Sequence, residues 1–266
     1  MIPLKDRNPT TRTPWVTIAL IALNVIAFLF WEPIFGHSNL KQQLFFFCHA
    51  EIPWEVTHQT ALAAGGEAAR HAIDQAHIVQ PGAAPAFQAF LAQHCLHKSW
   101  WESVFVAMFL HGGWLHIGGN MLYLWIFGNN VEDKIGPFFY LVFYLLGGIA
   151  ATALQTATDA NSVVPNLGAS GAIAAVLGAY LVMFPRRRVL TLIFFFFIMM
   201  IELPAIVLLG FWFLLQFFSG ATSLTQHIQG GVAYFAHVGG FVFGLVVAFL
   251  LFPKERRVPP EPRPVW

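Results

Sequence analysis

The sequence predicts an all-α, polytopic membrane protein with six transmembrane helices. Three observations carry this: the composition, six long apolar runs, and the placement of the basic residues. Of 266 residues, 57% are hydrophobic and only 10% charged, against about 25% charged in ordinary soluble domains. Twenty-eight phenylalanines and a mean hydropathy of +0.64 are more than one soluble core can hold, so apolar side chains must face lipid.

The apolar runs fall at residues 15–31, 103–128, 138–157, 170–184, 189–218 and 233–252, most of them near the roughly 20 residues that cross a hydrocarbon core. The first reads as an anchor that stays attached, because Phe28, Leu29, Phe30, Trp31 and Glu32 offer no small-residue cleavage site. The fifth is interrupted by Glu202 and Pro204. Residues 189–203 are therefore expected at or near the membrane interface, followed by a short span over 204–218; a single tilted helix is the alternative.

Charge sets the expected orientation. With six spans and both ends cytoplasmic, the inner side holds Lys5, Arg7, Arg12, Lys134, Arg186, Arg187, Arg188, Lys254, Arg256, Arg257 and Arg263, which is 11 of the 14 basic residues. Lys41, Arg70 and Lys98 are left outside, as the positive-inside rule requires. The chain then divides into a cytoplasmic segment (1–14), a first transmembrane helix (15–31), a long outer loop (32–102), a core of five spans (103–252) and a Pro-rich cytoplasmic tail (253–266), extended and disordered. A formal charge of +1 and the lack of a basic, aromatic-interleaved patch exclude nucleic acid as a partner. No internal repeat points to a transporter.

The outer loop is too loosely patterned to predict an independent domain; a helix is expected over 61–78 and a turn over 80–85. Both cysteines, Cys48 and Cys95, lie in it. An outer compartment permits a disulfide between them. Alternatively, with His49, His94 and His97 they could bind a metal such as Zn²⁺.

Polar side chains inside spans are functional candidates, because they must face the bundle interior or a hydrated cavity. They occur in His111-Gly-Gly-Trp-Leu-His116-Ile-Gly-Gly-Asn120, in Gly168-Ala-Ser170-Gly171 and in Ala236-His237-Val-Gly-Gly240. Ser170 lies 16 residues before Arg186, His116 16 before Glu132, and His237 17 before Lys254. At 1.5 Å per residue all three sit about 24–25 Å above the inner surface, near the outer side. His116 and Asn120 share a helix face, whereas His111 is expected to point away and to be structural. Ser170, Ala174 and Gly178 form one small-residue stripe, and His237, Gly240 and Gly244 another; helices packed along them would bring Ser170 to His237. A histidine can take the proton that makes a serine nucleophilic. The Ser170 backbone N–H, at a helix start after Pro165, Asn166 and Gly168, joins His116 and Asn120 as a candidate oxyanion hole.

Together, His111-x4-His116-x3-Asn120, Gly168-x-Ser170-Gly171 and Ala236-His237-x2-Gly240-x3-Gly244 resemble the rhomboid family of intramembrane serine proteases over about residues 100–252. The resemblance implies a rhomboid-like bundle. In it Ser170 is the nucleophile, His237 the general base and acid, and His116, Asn120 and Ser170 the oxyanion hole. His111, Gly168, Gly171, Gly240 and Gly244 are structural neighbours of the site. It also implies that the fifth helix gates lateral entry, that transmembrane proteins in the lipid bilayer are the substrates, and that no cofactor or metal is used. A cell-membrane location with the site opening outward follows, and the oligomeric state stays open. Many members carry Trp-Arg before the second helix, where this chain has Trp100-Trp101-Glu102, and some stack a Tyr under the histidine, where this chain has Ala174. The competing reading is a catalytically inactive rhomboid-like protein that binds membrane clients.

Overall fold

The computed structural model describes residues 1–35, 39–80, 82–95, 98–194, 198–226 and 232–251. The expected tail (253–266), His97 and Pro81 of the expected turn lie outside the described residues.

The chain opens with strand β1 (Ile2–Asp6) and helix α1 (Trp15–Ile26), which continues as a wider π turn to Trp31. Four short helices follow: α2 (Asn39–His49), α3 (Pro53–His58), α4 (Gly66–Gln75) and α5 (Ala84–His94). Helix α6 (Trp100–Ala107) ends in a break, and α7 (Trp114–Tyr123) runs through a π turn at Leu124–Gly128 into α8 (Asn129–Ile135). Next come α9 (Pro137–Thr158), α10 (Ser170–Met183), strands β2 (Arg188–Phe194) and β3 (Ile198–Pro204), and finally α11 (Ala205–Gln226) and α12 (Tyr234–Leu251). Among the described residues three helical stretches are long and apolar enough to cross a membrane: Pro137–Thr158, Ala205–Ser223 and Tyr234–Leu251. Trp15–Trp31 and Ser170–Met183 are shorter apolar helices.

α10 is the central post. Every residue from Gly171 to Tyr180 is buried, as befits a helix that is apolar all round and enclosed by others. It packs most extensively on α12, then on α9, through backbones that almost touch. A Cβ on Gly240 would fall on the carbonyl oxygen of Gly171, one on Gly244 on that of Ala175, and one on Gly178 on that of Phe241. Glycine at these points is what lets the helices approach, and close packing of small residues is the main source of helix association in lipid.

At the other end of α10 lie Lys5, Arg7 and Arg188, three of the basic residues expected on the inner side. β1, β2 and β3 form an antiparallel sheet in that order, with Asp6 opposite Val189 and Arg188 opposite Pro204. Asp6 accepts from the Tyr180 hydroxyl (2.9 Å) and from Asn130 Nδ2 (2.7 Å). Glu132 accepts the backbone N–H groups of Val16 (2.9 Å) and Thr17 (2.7 Å). It thereby satisfies the open first turn of α1.

Three expectations need correction. The fold is mostly helical but not all-α: Arg188–Phe194 and Ile198–Pro204 are antiparallel strands, because Val189, Thr191, Ile193 and Ile201 are β-branched and Pro204 halts any helix running in from the N-terminal side. The helix after it is not short; α11 spans 22 residues. The run 103–128 is not one helix, since the chain breaks between Ala107 and Trp114, where Gly112 and Gly113 stand, and resumes helically to Ile135.

The segment 32–102 is more ordered than its patterning predicts. Ile52, Trp54, Leu62, Ala69, Ala72, Ile73, Ala84 and Leu91 form a buried cluster of its own, closed by Val163 from the loop before α10. The helix expected over 61–78 is a 3₁₀ turn at Leu62–Ala64 followed by α4, and Pro85 of the expected turn instead lies in the first turn of α5. Cys48 and Cys95 are disulfide-bonded, which removes the thiolates that a metal site would need. Among the described residues no group of three or more His, Cys, Asp or Glu side chains is placed to hold a metal ion.

Candidate active site

Ser170 is the first residue of α10, after a loop that cannot be helical. Gly168 has φ +125°, a backbone conformation side chains rarely adopt, and a Cβ there would lie 2.8 Å from His116 Nε2. Its N–H donates to the Ala107 carbonyl (2.8 Å). Two residues earlier, Asn166 donates its side-chain amide to Glu51 Oε2 (2.9 Å) and its backbone N–H to the Glu51 carbonyl (2.7 Å). The loop into Ser170 is thus held from α6 on one side and from the 32–102 segment on the other.

His237 sits in the first turn of α12, with the neighbouring Ala236 N–H donating to Gln155 Oε1 of α9 (3.1 Å). Its Nε2 lies 2.8 Å from Ser170 Oγ and its Nδ1 2.8 Å from Gln216 Oε1. Accessibility of the histidine is only 9%. With the proton on Nδ1 and donated to Gln216, the Nε2 lone pair accepts the serine hydroxyl proton.

His116 stands in the first turn of α7. Its Nδ1 accepts the Gly112 N–H (3.3 Å), so the proton resides on Nε2, the nitrogen against Gly168. Asn120 lies one turn further along the same face, and its Nδ2 is buried with no hydrogen-bond partner in the described structure. A buried donor without an acceptor is what an oxyanion hole presents before the oxyanion forms. His111 precedes α7 and is not helical, so the divergence expected for residues five apart on a helix does not apply. Its ring meets the edge of His116 with centroids 5.1 Å apart, and its backbone N–H donates to Glu32 (2.9 Å).

A cavity of about 40 Å³ opens beside Ser170, lined among others by Gly168, Asn166, Gln155, Ala236 and Glu51. Burial pushes the Glu51 carboxyl up to about 7, against the lowering effect of hydrogen bonds from Asn166 and Thr156 and of the Lys98 charge.

The structure brings Ser170 and His237 into hydrogen bond, sets His116 against the loop before Ser170, and packs Gly171 and Gly240 where those helices cross. Sequence reasoning missed Gln216, Gln155 and Glu51. Gln216 carried a usable signal, a lone amide inside the apolar run Phe211–Phe218, by the same rule that singled out Ser170. Glu51 carried none, since a carboxylate in an outer loop is ordinarily solvated.

The Rhomboid domain family matches residues 97–254, more than half of the chain. The chain is 28% identical over 201 residues to rhomboid protease AarA of Providencia stuartii, covering 65% of this chain and 64% of that one. It is 27% identical over 153 residues to rhomboid protein 1, mitochondrial, of Saccharomyces cerevisiae, covering 56% and 41%. With rhomboid protease GluP of Bacillus subtilis the identity is 39% over 82 residues, covering 31% and 15%. The chain spans less than two thirds of the length of each of these relatives. A match over more than half its length, enclosing Ser170 and His237 and their supporting glycines, shows that the chain is a membrane protein of the rhomboid family.

Proposed function

We propose that the chain is an intramembrane serine endopeptidase that hydrolyses peptide bonds in or near transmembrane segments of membrane-protein substrates. The observation that carries this is the 2.8 Å hydrogen bond between Ser170 Oγ and His237 Nε2, buried where α10 and α12 cross. Ser170 Oγ attacks the scissile carbonyl carbon while its proton passes to His237 Nε2. The oxyanion is received by the Ser170 N–H, His116 Nε2 and Asn120 Nδ2, each such donor being worth about 10²–10³ in rate. His237 then protonates the leaving amine nitrogen, and a water, deprotonated by the same nitrogen, releases the acyl group from Ser170.

Six spans underlie this reading: 15–31, 114–135, α9, α10, α11 and α12. The N-terminal segment (1–14) and the tail (253–266) lie on the cytoplasmic side and the 32–102 segment on the outer side of a cell membrane. The bunching of Lys5, Arg7 and Arg188 around the sheet supports that orientation. The cavity at Ser170 then opens toward the outer side, from which water arrives.

The test is cleavage of a tagged single-span substrate by purified protein in liposomes. Wild type should cut in excess chelator, while Ser170→Ala and His237→Ala, folded to the same thermal midpoint, should be inactive. Cleavage that survives Ser170→Ala defeats the mechanism, and a wild type inert toward several helices with loosened ends favours a client-binding role instead.

A further inference from the structure

In this chain the ring of His237 is addressed from α11 as well as from α10. Gln216 Oε1 lies 2.8 Å from Nδ1, and among the described residues no carboxylate is hydrogen-bonded to this ring. One turn earlier on the same face of α11, the Trp212 ring sits 5.8 Å from the imidazole centroid, tilted by 37°. Phe213 stacks on Phe241, one turn beyond His237, at 4.7 Å. On the α10 side, the residue one turn below Ser170 is Ala174, fully buried and close under Gly240, with no ring to offer.

We propose that Gln216 is a positioning residue for the Ser170–His237 pair, holding the histidine in the tautomer whose Nε2 lone pair faces Ser170. This rests on the serine-protease reading above and adds the group that orients its base. Between Ala205 and Phe218, Gln216 and the Trp212 indole carry the only side chains with hydrogen-bonding groups. An unpaired amide on a helix facing lipid is costly, so the His237 bond satisfies Gln216 as much as Gln216 orients His237. An amide differs from a carboxylate here. Turned about its last torsion it would donate to Nδ1, the proton would move to Nε2, and the histidine could no longer accept from serine. Because Phe211, Leu214, Leu215, Phe217 and Phe218 on α11 are exposed, this helix is held from one side only. The reactivity of Ser170 therefore depends on α11 staying packed against α12.

The experiment uses the full chain in detergent micelles and a small fluorophosphonate probe, which reports Ser170 reactivity without requiring entry of a substrate helix. Gln216→Leu should label about 10- to 100-fold more slowly than wild type, less than the roughly 10⁴-fold loss when an orienting group enforces the wrong tautomer. For a transmembrane substrate the same variant should lower kcat and leave KM unchanged. Gln216→Asn, an amide one methylene too short to reach, should be as slow as Gln216→Leu. Gln216→Glu, which can only accept once ionised, should recover labelling to within about threefold of wild type. ¹⁵N-histidine spectra should show a single Nδ1–H tautomer in wild type and a mixture in Gln216→Leu. Labelling of folded Gln216→Leu at the wild-type rate, or a Gln216→Glu variant no faster than Gln216→Leu, would overturn the proposal. A wild type unlabelled at Ser170 overturns the protease reading itself, and this inference with it, so the two failures are distinguishable.

Discussion

The layer of α2 to α5, expected on the outer side and called the outer layer, and the bundle of α9, α10 and α12 both bear on the loop that leads into Ser170, and they do so with opposite chemistry. In the outer layer the joints are charged, crosslinked or strongly apolar. Lys98 and Glu55 form a 2.6 Å ion pair with both side chains almost fully buried, and Lys98 also donates to the Phe47 carbonyl (2.7 Å). Burial pushes the Glu55 carboxyl up and the Lys98 ammonium down, each opposed by the charge of the other. The Cys48–Cys95 bond closes the layer. In the bundle the joints are glycine and alanine against backbone, with neutral hydrogen bonds at Gln155 and Gln216. In water, a small layer gains from burying apolar area and needs staples to hold the rest. In lipid, apolar area has nothing to gain, so contact distance and satisfied polar groups decide stability.

This contrast can be broken from either side, beginning with the largest effect. Lys98→Met leaves Glu55 buried without its partner and should destabilise the outer layer by about 3–5 kcal/mol. The double variant Lys98→Met/Glu55→Leu should recover most of that loss, as read by proteolysis of residues 39–94 in liposomes. Next, reduction of the disulfide, whose cysteines are 47 residues apart, should cost about 2–4 kcal/mol. Protease nicking should then appear in the outer layer first, while α9, α10 and α12 stay protected; equal loss in both regions would mean the two are one cooperative unit.

In the bundle, Gly244→Ala puts a methyl group onto the Ala175 carbonyl and should cost about 3 kcal/mol by overpacking. Its effect should appear as a lower thermal midpoint together with slowed Ser170 labelling, with the outer layer intact. The smallest effect concerns pH. Burial raises Glu51 from 4.5 to about 7 in the folded chain, so between those values the folded state holds a proton that the unfolded state has released. Stability therefore falls as pH rises through that window, by at most about 3 kcal/mol. Glu51→Gln should flatten the dependence of the midpoint on pH between about 5 and 7, and an unchanged slope would show that Glu51 is not its source.

Much of the candidate site was legible because intramembrane polar residues are rare enough to be conspicuous. Ser170, His237, His116 and Asn120 stood out for this reason, and helical spacing with small-residue stripes was enough to predict that Ser170 and His237 meet. The reading failed where one periodicity was carried across a break. His111 was placed on a helix that begins only at Trp114, and residues 189–203 were expected at the membrane interface or in a tilted helix, whereas β2 pairs with the N-terminal strand on one side and with β3 on the other. Pairing partners such as Asp6 and Val189, more than 180 residues apart, leave no local signal. Glu51 was unreadable for the same kind of reason, since its burial depends on Asn166 and Thr156, over a hundred residues away.

What the sequence determined by itself is the class of molecule, the long apolar helices and the four polar residues that lipid would otherwise exclude, because hydropathy, charge and helical period are local properties. Only the tertiary structure decided that His237 is addressed by Gln216 from α11, that the loop before Ser170 is held by Glu51 from the 32–102 segment, and that the fifth apolar run begins with a strand paired to β1. Each of these is a contact between distant segments, and its energy exists only after the chain has closed on itself.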